Sequence, residues 1–117
     1  MTQTQRKCFA VDLYDEDDKI ARYKAWHKAG AVPAAVTAAI RADDIRELEI
    51  WCVGDRMFLL MEQGDNFDPA AKAARDKDNA DVKAWDALMA TFQKPLPFAP
   101  DQTWVEMERI YALSEQP

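Results

Sequence analysis

The sequence predicts an α+β fold in a single domain over residues 1–117, with an antiparallel sheet carrying its helices on one face. Three observations predict it. Short apolar runs with two-residue alternation stand near the start, middle and end of the chain, stretches of helical periodicity lie between them behind capping residues, and the dipeptide Gly54-Asp55 joins two of the runs as a hairpin loop. With 117 residues, 49% of them apolar, the chain has the material for one modest core and no second domain.

The first run, "RKCFAVDLY", sets Cys8 and Ala10 against Phe9 and Val11 and ends at "DEDD". That acidic cluster suits the first turn of a helix, where carboxylates meet unpaired amides and the positive end of the macrodipole. The helix is expected to run through "DKIARYKAWHKA" to a stop near Gly30, with Ile20, Tyr23 and His27 on one face. Pro33 opens a second helical stretch, "PAAVTAAIRA", that ends near "DD". "IRELEIWCV" and "RMFLLME" then form the hairpin. In the first of these strands the two-residue period sends Ile45, Glu47, Glu49 and Trp51 to one face and Arg46, Leu48, Ile50 and Cys52 to the other.

Asp68 followed by Pro69 is a cap and first turn for a short polar helix, and Asn79 caps another whose Val82, Trp85, Leu88, Met89 and Phe92 form an apolar stripe. "QKPLPFAPDQ" reads as an extended loop and "TWVEMERIY" as a last strand. The order β, helix pair, β hairpin, helix pair, β is the βαββαβ pattern of ferredoxin-like domains. One layer of helices covers only one side of such a sheet. The expectation is a homodimer that closes two sheets face to face as a dimeric α+β barrel.

Charge narrows the partners. Lysine and arginine number 15 against 21 acidic residues, and a net charge of −6 repels polyanions, so no nucleic acid and no anionic membrane is expected as a partner. The longest uncharged apolar runs are too short to span a bilayer, and "MTQTQRK" has no apolar stretch behind it to act as a signal, so the expected location is cytoplasmic. Cys8 and Cys52 sit in apolar alternations and are expected as reduced, buried structural residues. Two cysteines and one histidine give no zinc spacing, so no metal site is expected. Without a glycine-rich phosphate loop, nucleophile elbow or dinucleotide fingerprint, no cofactor is expected. Acid and base chemistry on a small neutral, hydroxyl-rich molecule remains, or the binding of one.

His27 is the only histidine, and its unperturbed pKa of about 6.5 lets it take and give a proton near neutrality. A lone histidine on a helix is more often a surface or half-buried residue than a catalyst. Tyr23, four residues earlier, shifts that balance because its phenol stands on the same face and one ligand hydroxyl could touch both. Trp26 is expected in core packing. Trp85 is core by its stripe, yet tryptophan is also a platform for the apolar face of a sugar ring. Asp86 follows it, as a solvated carboxylate or a ligand contact. Glu47 and Glu49, beside Trp51 on the strand face taken as open, are further contact candidates, unless that face is simply wet.

"RKCFAVDL", a helix carrying "RYKAWH", the hairpin, "VKAWDALM", a proline-bearing loop and "MERIYAL" together resemble the rhamnose mutarotase family along essentially the whole chain. "ELEIW" and "FQKPLP" are similar to its fucose-associated members. The resemblance implies an isomerase that interconverts the α and β anomers of a 6-deoxy-L-hexose, L-rhamnose or L-fucose. It also implies His27 as proton donor, Tyr23 as a substrate contact and Trp85 as the first of a tryptophan pair. Asp86 stands where the second tryptophan is expected, Leu48 replaces a substrate-touching tyrosine with Glu47, Glu49 and Trp51 close by, and Val32, Pro33 and Ala34 replace "WPE". The mechanism expected on this basis has His27 protonate the ring oxygen on opening and reclaim that proton on closure, while Tyr23 orients a hydroxyl. Rival readings are a binding module on the same scaffold and a cofactor-free oxygenase-like enzyme, which needs an apolar aromatic pocket.

Overall fold

In the computed structural model, which describes residues 5–117, β1 (Gln5–Leu13) is the inner strand about which the sheet is built. The helices α1 (Asp17–Trp26) and α2 (Ala34–Ala42) follow it, then the hairpin β2 (Ile45–Val53) and β3 (Arg56–Gln63). The helices α3 (Pro69–Lys77) and α4 (Ala80–Ala90) and two short strands, β4 (Gln93–Lys94) and β5 (Val105–Glu106), complete the order. All pairings are antiparallel and the sheet runs β2-β3-β1-β4, with β5 also on β1. This is the ferredoxin-like α+β arrangement.

Local chemistry accounts for most element ends. The Asp68 carboxylate accepts from the amides of Ala70 and Ala71 with Pro69 in the first turn of α3, and Asn79 Oδ1 accepts from those of Asp81 and Val82 at the start of α4. Asp17 and Asp18 occupy the first turn of α1. Gly54, at φ 58°, supplies the left-handed position of the hairpin turn.

Four local expectations are corrected. The first helix ends at Trp26, not near Gly30: His27 is its C-cap at φ −100°, ψ 4°, and Gly30, at φ 83°, belongs to the turn beyond. In β2, Ile45 pairs with Gln63 and Glu47 with Glu62, so Arg46 is an extra residue and Ile45 crosses to the helix-covered face, where it is buried. The cause lies next door. Asp44 takes φ 62° and its carboxylate accepts from Arg46 Nε at 2.8 Å and from the Asn66 amide at 2.9 Å, which folds Arg46 back out of the ladder. Gly64 makes room for this corner, since a Cβ there would collide with the Asp44 carboxylate.

The expected last strand shrinks to Val105–Glu106, followed by one further bond from the Met107 amide to the Cys8 carbonyl at 2.7 Å. Its alternation continues through Ile110 and Tyr111, but nothing among the described residues buries them, and Ile110 is 88% exposed. Part of its place beside β1 is taken by Gln93 and Lys94, which open the proline-rich segment as a short strand against Leu13 and Asp12. Lastly, both cysteines are free but exposed: Cys8 alternates onto the open face, and Cys52 stands at the hairpin end of β2.

The register assigns the two faces. Val11, Leu13, Met57, Leu59, Leu48, Ile50 and Cys52 point toward the helices, where Val11, Leu13, Met57, Tyr23, Met89 and Phe92 form the buried core. Truncating Leu13 to alanine costs about 2–5 kcal/mol. Glu47, Glu49, Trp51 and Val53 point away from the helices, with Asp12, Arg56 and Phe58.

Candidate active site

The end of α1 builds the site. At the His27 C-cap the backbone amide turns to the Lys24 carbonyl at 3.1 Å, which leaves the Tyr23 carbonyl among the unpaired acceptors of the last turn. The imidazole fills that vacancy: Nδ1 lies 2.7 Å from the Tyr23 oxygen. A carbonyl only accepts, so Nδ1 carries the proton and Nε2 of the neutral ring keeps a free lone pair.

Around this bond the rings are close. Tyr23 and His27 stack with centroids 4.3 Å apart at 27°, and Phe92 meets Tyr23 edge-on at 5.9 Å. Trp85, from α4, stands edge-on to His27 at 5.5 Å. Trp26 leans on Trp85 at 6.0 Å, and at 37% exposure it is no core residue, because it is the last residue of α1 and packs on the half-buried Trp85.

Tyr23 is only 3% exposed, and its Oη accepts a hydrogen bond from Gln93 Nε2 at 3.1 Å. Burial pushes the phenol up to about 12, with the Gln93 bond opposing and Cys52 adding to the rise. Burial also lowers the His27 pKa below its usual 6.5, against the bond to the Tyr23 carbonyl. At neutral pH the pair is therefore a neutral imidazole with an open acceptor and a protonated phenol.

Tyr23 and His27 line a cavity of about 140 Å³ with Leu13, Lys24, Ile50, Cys52 and Met57. Drug-sized ligands fill about 300–1,000 Å³, so this cavity suits one small ring. Leu13, Ile50 and Met57 are its apolar lining residues, and its polar ones are Tyr23, Lys24, His27 and Cys52.

Of the residues singled out in the sequence, Tyr23, His27 and Trp85 come together, Trp85 against the imidazole and not in the cavity wall. Asp86 turns toward α3, where burial and the Asp76 carboxylate raise its pKa and Lys72 lowers it. Glu47, Glu49 and Trp51 lie across the sheet, with Trp51 Nε1 donating to Glu49 at 3.4 Å. Gln93, Cys52 and Lys24 were not singled out. A polar residue directly after the apolar stripe of α4 was the available sign for Gln93, and the inward period of Leu48, Ile50 and Cys52 the sign for the thiol.

Residues 6–113 match the family described as L-rhamnose mutarotase. An L-fucose mutarotase of Xanthomonas campestris pv. campestris is 48% identical over 112 residues, covering 95% of this chain and 90% of that protein. A UPF0734 protein of Dictyostelium discoideum is 28% identical over 109 residues, 89% of this chain and 86% of its own. Among solved structures, an L-rhamnose mutarotase from Formosa agariphila has the same fold at a TM-score of 0.67 and 17% identity, covering 93% of this chain and 98% of that one.

Proposed function

This chain belongs to the L-rhamnose mutarotase family, and from that premise we propose that it interconverts the α and β anomers of a 6-deoxy-L-hexose, L-fucose before L-rhamnose. The name of the 48% identical relative supports the order of the sugars. The observation that carries the chemistry is the bond from His27 Nδ1 to the Tyr23 carbonyl, which leaves Nε2 free on a ring that lines a cavity of one ring's size.

Ring opening moves two protons. His27 Nε2 takes the proton of the anomeric hydroxyl, the bond between C1 and the ring oxygen breaks, and its electron pair stays on that oxygen, which is protonated in turn. Rotation about C1–C2 and reclosure from the other aldehyde face, with both protons returned, give the second anomer. The lowered pKa of His27 supports its starting as acceptor at the anomeric hydroxyl, whereas the sequence suggested donation to the ring oxygen. Tyr23, protonated at neutral pH, is the donor on the other side. Such acid and base assistance is worth about 10² to 10⁴ in rate. Trp85 packs edge-on with the imidazole, and Trp26 packs on Trp85 in turn.

A homodimer is part of the reading. The open face with Trp51 and Val53, and the exposed Ile110, Tyr111 and Leu113 beyond β5, are apolar surfaces that a second copy would cover. Glu47, Glu49 and Trp51 then belong to the contact between copies, and a cytoplasmic location fits two free thiols. Among the described residues no helix is long and apolar enough to cross a membrane.

Exchange NMR with L-fucose, L-rhamnose and D-galactose tests the function. Acceleration of anomer exchange for the deoxy sugars is expected. Binding without acceleration would leave the binding-module reading, and no effect on any sugar would remove the mutarotase reading.

A further inference from the structure

The strand β4 is only two residues long, yet it fixes one side chain. Lys94 precedes Pro95, which holds it extended, and the pairing of Gln93 with Leu13 turns the Gln93 side chain to the helix-covered face. There Gln93 is 8% exposed and its Nε2 donates to Tyr23 Oη. Gln93 also borders a second cavity, of about 220 Å³, with Tyr14, Ala90, Pro95 and Thr103, which has room for solvent. Gln93 therefore stands between a buried phenol and a wettable space.

A phenol oxygen that accepts from Gln93 has one proton of its own left to place. Phe92, edge-on to Tyr23, offers no acceptor, and the cavity that Tyr23 lines with His27 leaves a direction for that proton. We propose that Gln93 is a positioning residue that, by donating to Tyr23 Oη, makes the phenol a fixed hydrogen-bond donor into the cavity. Resting on the mutarotase reading above, this divides the labour at the sugar: His27 Nε2 accepts at one oxygen and Tyr23 O–H donates at the other. It also gives the "FQKPLP" segment a role in the reaction, since the phenylalanine packs on Tyr23 and the glutamine orients it.

Gln93→Glu tests the direction of the bond. As a neutral acid the new side chain can still donate to Oη, but as a carboxylate it only accepts, and the phenol proton turns to it and away from the cavity. The ratio of variant to wild-type kcat for L-fucose is expected to stay within about 3-fold at the acid end of the measurable range. It should then fall at least about 10-fold as the pH rises, with KM little changed. Gln93→Leu, which offers no bond, should lower kcat by about 10-fold at every pH, and it serves also if the glutamate variant does not fold. Full kcat in folded Gln93→Leu, or a pH-independent ratio in Gln93→Glu, would overturn the proposal. Failure of the wild-type protein to exchange any anomer would instead strike the reading on which it rests.

Discussion

The two faces of the sheet carry similar side chains to different ends. On the helix-covered face a histidine, a tyrosine and a glutamine are half-buried or buried, each holding a defined bond: Nδ1 to a carbonyl, Oη from an amide. On the open face the polar groups satisfy one another, at the surface except for the buried Asp12. Arg56 reaches Asp12 with Nε at 2.8 Å and Nη2 at 3.2 Å, and Trp51 reaches Glu49. Burial separates the two faces. It moves the protonation of His27 and Tyr23 into useful states, while exposed pairs in high dielectric gain little from each other.

The largest break in this contrast comes from His27→Asn, expected to lower exchange by about 10² to 10⁴ while the protein stays folded, as circular dichroism and exchange NMR together would record. Tyr23→Phe comes next. It removes the donor and leaves Gln93 Nε2 without its partner, so about 10-fold slower exchange should accompany about 1–3 kcal/mol lost in a urea melt.

The pH profile sharpens the comparison without a mutation. Only neutral His27 accepts a proton, so the rate should fall on the acid side with a midpoint below 6.5. The same depression makes the unfolded chain bind that proton more readily, so its share of stability is present above 6.5 and lost as the pH falls through the folded pKa. A midpoint above 6.5 would argue against burial as the controlling influence.

A smaller effect separates scaffold from chemistry. Gly64→Ala forces the Asp44 corner apart and should cost about 1–3 kcal/mol in thermal unfolding with exchange per folded molecule unchanged. Smallest of all, Glu47→Gln should shift chain stability by no more than about 0.5 kcal/mol. A drop in kcat from Glu47→Gln would show that the open face takes part in the reaction.

The sequence shows those parts of the molecule that local chemistry determines. Asp68 and Asn79 announce their helices because a cap needs only the next three residues, and Gly54 announces the hairpin because its φ does. The pairing of Tyr23 with His27 follows from helical spacing, although the helix stops one residue short of the histidine. What stayed hidden depends on distant partners. The bulge at Arg46 follows from Asp44 meeting Asn66 across the sheet corner, and an alternating pattern cannot register an extra residue. Ile110 and Tyr111 keep a strand pattern with no strand to pair with among the described residues. Gln93 reaches Tyr23 only because β4 lies on β1, 70 residues from the tyrosine in sequence.

Face assignment was legible only in part. The two-residue period separated Glu47, Glu49 and Trp51 from Leu48, Ile50 and Cys52, and the acidic set was rightly taken as the open face, but which residues share a side with His27 is not in the period. The helices decide that, and they put the apolar set and the thiol there.

The most direct test of this account is magnetisation-exchange NMR on L-fucose with wild-type protein and His27→Asn, run between about pH 5 and 8. The account predicts catalysed exchange between the two anomers by the wild type, fading below pH 6.5, and near-background exchange by the folded variant. Equal catalysis by both proteins would contradict it.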